Sequence, residues 1–485
     1  MTSLSKSKII SHRQCPKRLW LQVNRPELIE ISTATQVRFD EGNKVGDIAR
    51  QNHPGGVFIE TLNREEAIGQ TKEAVSKHQT IFEGAFFEED VMIRADLLFP
   101  ENDGYRLVEV KSSTGVKSYH VDDVTVQSWV MEKAGCSPTS MALAYINNKF
   151  IYQGDGNYEG LFAEADLSSQ VKPNMSQVQS WVDAAKKTLA LTVEPTIAPG
   201  EQCTDPFTCD FIGYCSPPEE GVEYPVEILP YGKVIASELR NDGYKDLRDV
   251  PVERLSNPKH LKVHAATLSG QAILEPEAIK KIQELPYPRY YLDFETIGFA
   301  VPIWAGTRPY MQLPFQWSCH IEQSDGSIAH KEFLDLSGND PREMFAKTLI
   351  EAVCKDGPVI VYNAGFEGAR IKELAAAFPS LASELLSIPE RFFDLLPLAR
   401  NHYYHPDMKG SWSIKDVLPT IAPELDYANL EVSDGAMAQE AYKEVIHSGT
   451  TSERKEEVRN AMLKYCEQDT IAMVNIVHAW SLDKP

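Results

Sequence analysis

The sequence predicts an α/β protein built from two modules and a mostly helical connector between them. Its 485 residues suffice for two or three domains at roughly 100–200 residues per domain. Short apolar segments typical of strands alternate with helix-like segments near both ends of the chain. A stretch rich in Pro and Glu over 216–226 marks a boundary. We therefore expect an N-terminal module over 1–222, a connector over 223–285 and a C-terminal module over 286–485.

The N-terminal module contains five segments of helical character and four strand-like segments. One of the helices ends at Gly135, a residue type that favours helix termination. The helices are predicted over 1–25, 35–51, 64–78, 122–135 and 174–192, and the strands over 80–87, 91–99, 105–111 and 139–147.

The connector is predicted to be helical over 227–285, with two short helices around Gly243 that suggest a helical hairpin. Such a hairpin is either a plain connector or a clamp on a nucleic-acid backbone. The C-terminal module begins with an apolar strand over 287–295, preceded by Pro286. A further strand is predicted over 357–363, and helices over 366–377, 391–401 and 452–479.

Composition and charge limit the classes of protein to which this sequence can belong. Hydrophobic residues make up 42% and charged residues 24% of the chain, an ordinary globular composition. No apolar run reaches the ~18–20 residues that a membrane span needs, and the N-terminus lacks the apolar stretch of a secretory signal. We expect a cytoplasmic protein that does not contact membranes.

The formal net charge is −22, which argues against a nonspecific binder of polyanions. The charge is unevenly distributed, however, so a basic face can still contact phosphate. Metal-binding acids also add negative charge without repelling a substrate once cations are bound. The first 25 residues contain no acid and six basic residues: Lys6, Lys8, Arg13, Lys17, Arg18 and Arg25.

Two acids in the C-terminal module, Asp293 and Glu295, lie two positions apart on the first predicted strand. Side chains at i and i+2 of a strand share one face. Two carboxylates on one apolar strand repel each other unless a cation lies between them. A divalent metal site is the favoured interpretation, and a solvated strand edge is the alternative.

Two later segments add to this pattern. Glu367 follows an apolar strand at the start of a helix, and Tyr465 and Asp469 lie four apart, on one face of the last helix. In this order the motifs resemble the four-acid 3′–5′ exonucleases related to DnaQ and RNase T, in the DEDDy subgroup that has tyrosine in its last motif. The resemblance covers about residues 287–480.

This resemblance implies an RNase H-like fold, with a mixed sheet flanked by helices. It implies that Asp293, Glu295, Glu367 and Asp469 hold two Mg²⁺ or Mn²⁺ ions, which stabilise charge on the attacking and leaving oxygens of phosphodiester hydrolysis. Tyr465 would orient the attacking water. The family usually has Asp at the third position, where this chain has Glu367. Asp394 is either a structural acid at a helix start or a contributor to the site.

The N-terminal module has a second candidate site. Asp96 lies on one strand, Glu109 and Lys111 lie i, i+2 on the next, and Gln127 lies on the helix that follows. Glu and Lys buried on one face are costly without a role, although a surface salt bridge is the alternative. The pattern resembles the PD-(D/E)XK nuclease core, in the RecB-like branch that includes CRISPR-associated exonucleases.

In that branch Asp96 and Glu109 would bind metal, Lys111 would position or activate water and stabilise the transition state, and Gln127 would support substrate or metal. The sequence departs from the branch at two positions. Gly46 stands where many relatives carry His, with Asp47 as a neighbouring substitute, and Met131 stands where relatives often have Tyr.

Eight cysteines are present, and in a cytosolic chain they are not expected to form a disulfide framework. Cys203, Cys209 and Cys215 are evenly spaced, with Cys15 far upstream. Spacing alone leaves three readings: a [4Fe–4S] cluster, a zinc ion or ordinary core cysteines. The resemblance to RecB-like nucleases favours the cluster, as a structural staple across a loop of ~190 residues. The other four cysteines, Cys136, Cys319, Cys354 and Cys466, are expected to be small core residues.

Together these patterns predict a metal-dependent nuclease and hydrolase, most simply a DNA exonuclease acting from 3′ ends, with a second nuclease module. The alternatives are an RNA 3′–5′ exonuclease and a nucleic-acid-binding protein with a degenerate N-terminal site. The pairing of modules resembles an uncharacterised bacterial family that joins these two nuclease folds. DNA repair, defence against foreign DNA and RNA turnover all fit such a protein.

Overall fold

The computed structural model describes residues 3–29, 33–102, 104–217, 219–353, 356–425, 427 and 430–481, with 33–40 described by their backbone alone. The chain is a mixed α/β protein, which confirms the predicted class. Its contacts divide it into an N-terminal unit, Met1–Pro217 with Phe299–Met311, and a C-terminal unit, Pro218–Gly298 with Gln312–Pro485. The predicted connector therefore lies in the C-terminal unit.

The N-terminal unit contains seven strands and seven helices among its described residues. The strands are β1 (Leu4–Ser5), β2 (Val57–Phe58), β3 (Ile81–Glu88), β4 (Val91–Glu101), β5 (Gly104–Lys111), β6 (Pro138–Ile146) and β7 (Phe162–Asp166). The helices are α1 (Lys6–Gln14), α2 (Pro16–Asn24), α3 (Thr33–Gln51), α4 (Arg64–Ser76), α5 (Ser118–Lys133), α6 (Ser168–Leu189) and α7 (Ile212–Cys215).

One mixed sheet organises this unit. Its strand order is β2-β3-β4-β5-β6-β7, and β1 pairs with β4. β4 and β5 are antiparallel neighbours, so the acids that they carry lie side by side. The prediction of a helix over 1–25 is wrong at two places: Leu4–Ser5 form strand β1, and Cys15 is extended and separates α1 from α2. Pro16 explains this break, because the residue before a proline disfavours helical backbone.

The C-terminal unit contains ten helices and seven strands among its described residues. The helices are α8 (Lys233–Asn241), α9 (Pro258–Ser269), α10 (Pro276–Gln283), α11 (Arg342–Ala352), α12 (Ala364–Ala377), α13 (Ala382–Ser387), α14 (Leu395–His402), α15 (Ile414–Val417), α16 (Gly435–Ile446) and α17 (Ser452–Ser481). The strands are β8 (Ile273–Leu274), β9 (Arg289–Ile297), β10 (Leu313–Glu322), β11 (Ile328–Leu334), β12 (Val359–Val361), β13 (Phe392–Asp394) and β14 (Tyr403–Tyr404).

The main sheet of this unit has the order β11-β10-β9-β12-β13, with β9 at its centre. β9 pairs antiparallel with β10 and parallel with β12. Helix α17 packs against β9 and β10, and its apolar side chains share a core with the connector helices. The centre of the sheet and the long last helix are therefore the two elements that position the candidate site.

Several boundaries differ from the sequence predictions by a few residues. The helical hairpin predicted around Gly243 is wrong in its second half, because α8 is followed only by the 3₁₀ turns Leu247–Asp249 and Val252–Arg254 before α9. Two other differences have a local cause. The segment predicted as a helix over 391–401 begins as strand β13, because Phe392 and Phe393 pair with β12, and the helix starts only at Leu395. The strand predicted over 357–363 ends at Val361, and Asn363 has a φ of 97°. Among the described helices, none combines the length and the apolar character that crossing a bilayer would require.

Candidate functional site

Three carboxylates converge in the C-terminal unit. Asp293 and Glu295 project from one face of β9, and Asp469 reaches them from α17. One carboxylate oxygen of each residue lies within 4.8 Å of the other two. Asp293 and Glu295 share one face of the strand, as their i, i+2 spacing predicts. The fold brings Asp469 to this pair, although it lies 174 positions after Glu295 in the sequence.

The charge of these acids is poorly compensated by the protein. Burial, followed by the charges of Asp469, Glu295 and Glu367, raises the pKa of Asp293 well above its usual range. Burial and then Asp469 raise the pKa of Glu295 to about 8. Burial raises the pKa of Asp469 to about 6, against the opposing effect of a hydrogen bond from Tyr427. A divalent cation between the oxygens would remove this repulsion.

Glu367 lies in the first turn of α12, near enough for its charge to act on Asp293. It does not belong to the group of three acids whose oxygens lie within 4.8 Å of one another. It is only 2% exposed. Burial raises its pKa to about 8. Within the described part of the chain, its buried Oε2 has no hydrogen-bond partner. An orphaned buried carboxylate oxygen is costly, and a cation is the kind of partner that would satisfy it.

Asp394 has a different role. Its carboxylate accepts hydrogen bonds of 3.0 Å from the backbone N–H groups of Asn363, Ala364 and Leu396. It therefore caps the start of α14 and fixes the turn between β12 and α12. Of the two interpretations of Asp394, these contacts favour the structural one. The turn that it fixes is also the turn that places Glu367.

Two residues near the acids carry no signal in the sequence. Nζ of Lys415 lies 3.2 Å from Oη of Tyr465 and donates to the carbonyl of Ser433 at 2.6 Å. The hydroxyl of Tyr427 donates to Oδ1 of Asp469 at 2.7 Å. Lys415 lies in the four-residue helix α15 and Tyr427 in a bend before α16, and both segments are too short for periodicity to mark a position as inward-facing. Only the tertiary fold reveals them.

Cys466 was expected to be an ordinary core cysteine, and it is fully buried. Its Sγ also lies 3.9 Å from Oδ2 of Asp293. Burial, together with the charge of Asp293, raises the pKa of the Cys466 thiol well above its usual value. The thiol therefore stays neutral beside the acids. Cys136 is partly buried and Cys319 is buried, and Cys354 lies outside the described residues.

The predicted residues of the N-terminal unit also converge. Oε1 of Glu109 contacts Nζ of Lys111 and Nζ of Lys6, each at 2.7 Å. Oε2 of Glu109 accepts a hydrogen bond of 2.6 Å from Nε2 of Gln127. Asp96 accepts a hydrogen bond of 2.7 Å from the backbone N–H of Val110. The four predicted side chains therefore belong to one site.

Lys6 and Asp123 are members of this site that the motif did not include. Asp123 lies four residues before Gln127 on α5 and accepts from Nζ of Lys111 at 2.7 Å. That spacing, which puts both side chains on one helical face, was a usable signal. Lys6 shows no such pattern, because it begins α1, far from the motif in sequence.

Charge balance distinguishes the two sites. In the N-terminal unit burial alone would raise the pKa of Glu109, but the ammonium groups of Lys111 and Lys6 hold it well below the usual range. Burial and the charge of Glu109 raise the pKa of Asp96 to about 7. Glu109 is thus already neutralised by the protein. The carboxylates of the C-terminal unit have no such pair of ammonium groups within the described residues.

An open cavity of about 380 Å³ adjoins the N-terminal site. Its lining includes Asp96, Glu109 and Lys111 together with Gly46 and Asp47 of α3. Asp47 is held by an ion pair with Arg50. Gly46, one of the two positions at which the sequence departs from the predicted branch, therefore lines the same cavity as the acids.

The four cysteines of the predicted staple line one pocket. Cys15 directly precedes α2, and Cys203, Cys209 and Cys215 come from the turns before and within α7. Among the described residues, no three of these thiols have sulfur atoms within 4.8 Å of one another. The structure thus gathers all four residues, but with wider separations than those of the carboxylates.

Comparison with known proteins gives one family match. Residues 290–413 match the model of DUF2779, a domain of unknown function. The matched stretch contains Asp293, Glu295 and Glu367 but ends before Tyr465 and Asp469. The match covers about a quarter of the chain. It therefore includes only the part of the carboxylate site that comes from β9 and α12.

Relatives among curated proteins are uncharacterized. Protein UU173 of Ureaplasma parvum is 28% identical over 231 residues, which cover 43% of this chain and 33% of the relative. Protein MG366 of Mycoplasma genitalium is 26% identical over 214 residues, which cover 40% of this chain and 32% of the relative. The chain thus spans about a third of the length of these relatives. No solved structure shows significant similarity to it.

Proposed function

We propose that this protein is a metal-dependent nuclease whose C-terminal unit hydrolyses phosphodiester bonds from 3′ ends, with DNA as the preferred polymer. One observation carries the proposal: buried carboxylates from β9 and α17 lie within 4.8 Å of one another, and the charge of Glu367 on α12 also acts on Asp293. The central mixed sheet flanked by helices supports an RNase H-like fold for this unit.

The donor set fits Mg²⁺ or Mn²⁺. Hard divalent ions prefer carboxylate oxygens, and Asp293, Glu295 and Asp469 offer them within 4.8 Å of one another. Glu367 adds an oxygen without a partner among the described residues. When bound there, such ions would stabilise the negative charge that develops on the attacking and leaving oxygens of phosphodiester hydrolysis.

The neighbouring side chains would orient water and substrate. Burial and the nearby acids raise the pKa of Tyr465 well above its usual value, so its hydroxyl stays protonated and can donate to a water or to a phosphate oxygen. Lys415 lies over the ring of Tyr465, with its ammonium 4.9 Å from the ring centre. Its positive charge beside the acids would also attract a phosphate. Tyr427 holds Asp469 in position through their hydrogen bond.

The proposed function is tested with oligonucleotides labelled at the 5′ end, which report digestion from the 3′ end as a ladder of shortened products. Matched single-stranded DNA, duplex DNA and RNA are incubated with the full chain in Mg²⁺, Mn²⁺ or EDTA. We expect a ladder on DNA that requires the divalent ion. Digestion of RNA but not of DNA would show that RNA is the substrate. If no polymer were digested, the proposal would be contradicted.

We further propose that the N-terminal unit is a second nuclease module with a PD-(D/E)XK fold. The convergence of Asp96, Glu109, Lys111 and Gln127 beside an open cavity supports it. Because two ammonium groups already neutralise Glu109, a metal ion would have to displace Lys6 or Lys111 from that carboxylate. This requirement explains why the C-terminal site is expected to bind cations more strongly.

Replacing Lys111 by Met is expected to reduce the metal-dependent cleavage that remains in the variant Asp293→Asn by at least about 100-fold, because it removes the group that would stabilise the transition state. The measurement is cleavage of long duplex DNA by Asp293→Asn and by Asp293→Asn with Lys111→Met. Lys186→Met, which removes a half-exposed lysine of the same unit paired with Asp90, is the control. Equal cleavage by the two variants, or no residual cleavage at all, would contradict an active N-terminal module.

We also propose that the four-cysteine pocket holds a [4Fe–4S] cluster. A tetrahedral zinc ion with bonds of about 2.3 Å would bring its sulfur ligands to about 3.8 Å from each other, whereas no three of these thiols lie within even 4.8 Å of one another among the described residues. A cluster spans a larger gap between its four thiolates. Lys17 and Arg18 also line the pocket. Burial raises the pKa of the Cys209 and Cys215 thiols, and the positive charges of Arg18 and Lys17 oppose that rise.

Protein purified without oxygen is accordingly expected to be brown and to contain about four irons per chain, as the cluster formula requires. Cys203→Ser is expected to lose the colour and most of the iron. Cys136→Ser, in the same unit but outside the pocket, should keep both. Metal analysis with a visible spectrum makes the measurement, and one zinc without iron in the wild-type protein would show that the cluster is absent.

A further inference from the structure

Three side chains of the C-terminal unit form a second group of metal-ligating residues: His320 on β10, His330 on β11 and Glu467 on α17. One ligand atom of each lies within 4.8 Å of the other two. His320 and His330 face each other directly across the two strands, and their rings stack with 4.5 Å between centroids. Nδ1 of His330 lies 3.8 Å from Oε1 of Glu467.

A chain of hydroxyl groups holds both rings in place. Nδ1 of His320 lies 2.8 Å from Oγ1 of Thr470, and Nε2 of His330 lies 2.8 Å from Oγ of Ser318. The two hydroxyls are themselves 2.8 Å apart. These contacts engage one nitrogen of each imidazole, so the other nitrogen of each ring is the one that would bind a cation. Metal-binding histidines are commonly oriented in this way.

We propose that His320, His330 and Glu467 bind one divalent transition-metal ion of the zinc class. Two imidazoles and one carboxylate suit zinc and its neighbours, whereas Mg²⁺ prefers oxygen ligands alone. Three protein ligands leave a fourth position for water. The site therefore differs in chemistry from the carboxylate site, and its existence does not depend on the proposed nuclease function.

An ion at this site would link the edge of the sheet to the last helix. β11 is the edge strand of the sheet and is largely exposed to solvent. An ion on His320, His330 and Glu467 would fasten the β10–β11 hairpin to α17. Glu467 lies two positions from both Tyr465 and Asp469 on that helix. The ion would thus fix the helix that supplies the candidate exonuclease site, by binding only the folded state.

The test is a cobalt titration of the full chain in excess Mg²⁺, which occupies hard oxygen sites. Co²⁺ bound by nitrogen and oxygen gives visible d–d bands without the intense ultraviolet absorption of cobalt thiolate, so this site is distinguishable from the cysteines. His330→Gln and Glu467→Gln each remove a ligand, and Glu467 is half-exposed, so its replacement leaves packing intact. His447→Gln, an exposed histidine of the same unit, is the control.

We expect wild type and His447→Gln to bind one more equivalent of Co²⁺ than His330→Gln and Glu467→Gln. Zinc should raise the melting temperature of wild type but not of these two variants, whose metal-free melting temperatures should match wild type. Ser318→Ala, which loosens the ring of His330, should weaken zinc binding by about 10–100-fold. Equal cobalt stoichiometry in wild type, His330→Gln and Glu467→Gln would overturn the proposal, whether or not the protein digests nucleic acid.

Discussion

Replacing Asp293 by Asn is expected to abolish metal-dependent 3′–5′ digestion, with a loss of at least about 1000-fold in rate, comparable to removing a principal electrostatic contribution to catalysis. Asp293 lies at the centre of the cluster, where the charges of Asp469, Glu295 and Glu367 all act on it. The amide keeps the size of the side chain but removes its charge. The measurement is the rate of product laddering from 5′-labelled single-stranded DNA.

The control for this variant is Asp325→Asn, which alters an exposed acid in the turn between β10 and β11 and leaves the cluster intact. It should digest DNA at the wild-type rate. If Asp293→Asn retained full activity while Lys111→Met abolished it, the digestion would belong to the N-terminal unit. That result would reverse the ranking of the two sites.

Divalent ions are expected to stabilise the protein strongly at alkaline pH and weakly at acidic pH. Burial raises the pKa of Glu295 from 4.5 to about 8. In metal-free protein the folded state therefore holds more protons than the unfolded state between these values. Its stability falls as the pH rises through that window. A bound cation replaces those protons and restores the loss.

Melting curves at pH 5.5 and pH 8.5, with EDTA or with Mg²⁺, measure this effect. At pH 8.5 we expect Mg²⁺ to raise the melting temperature by roughly 5 °C or more, the shift that follows from a few kcal/mol in a protein of this size. At pH 5.5 the rise should be smaller, because protons compete with the ion.

Glu295→Gln supplies the matched variant for these melting curves. It should melt higher than wild type in EDTA at pH 8.5, because one buried charge is gone, and it should lose most of the Mg²⁺ response. Functional sites commonly lower the stability of the folded state in this way, here through buried acids that repel one another without a metal ion. A wild-type response to Mg²⁺ that is equal at both pH values, or unchanged in Glu295→Gln, would contradict the account.

The sequence predicted the elements of the fold best where one short pattern decides the structure. The apolar segment that carries Asp293 and Glu295 identified β9, and the i, i+2 spacing of the two acids put both on one face. The helix that carries Tyr465 and Asp469 was predicted over 452–479 and spans Ser452–Ser481. The strand at Phe392–Asp394 was missed, because three residues are too few to show a period and tertiary pairing with β12 decides their conformation.

The parts of the sites that sequence reasoning missed are those held by tertiary contacts alone. Lys415 lies in the four-residue helix α15 and Tyr427 in a bend, and nothing local marks them as neighbours of Tyr465 and Asp469. The pairing of His320 with His330 depends on the register of a hairpin, and their link to Glu467 depends on how α17 lies on the sheet. Local periodicity gives the direction of a side chain but not its distant neighbours.

Anomalous diffraction from crystals grown with Mn²⁺, with data collected near the manganese absorption edge, would locate the bound ions directly. We expect at least one anomalous peak bonded to carboxylate oxygens of Asp293 and Asp469, with Glu295 or Glu367 completing the site, and no peak there in Asp293→Asn. Ordered side chains at these positions with no peak between them, at a Mn²⁺ concentration that supports digestion, would contradict this expectation.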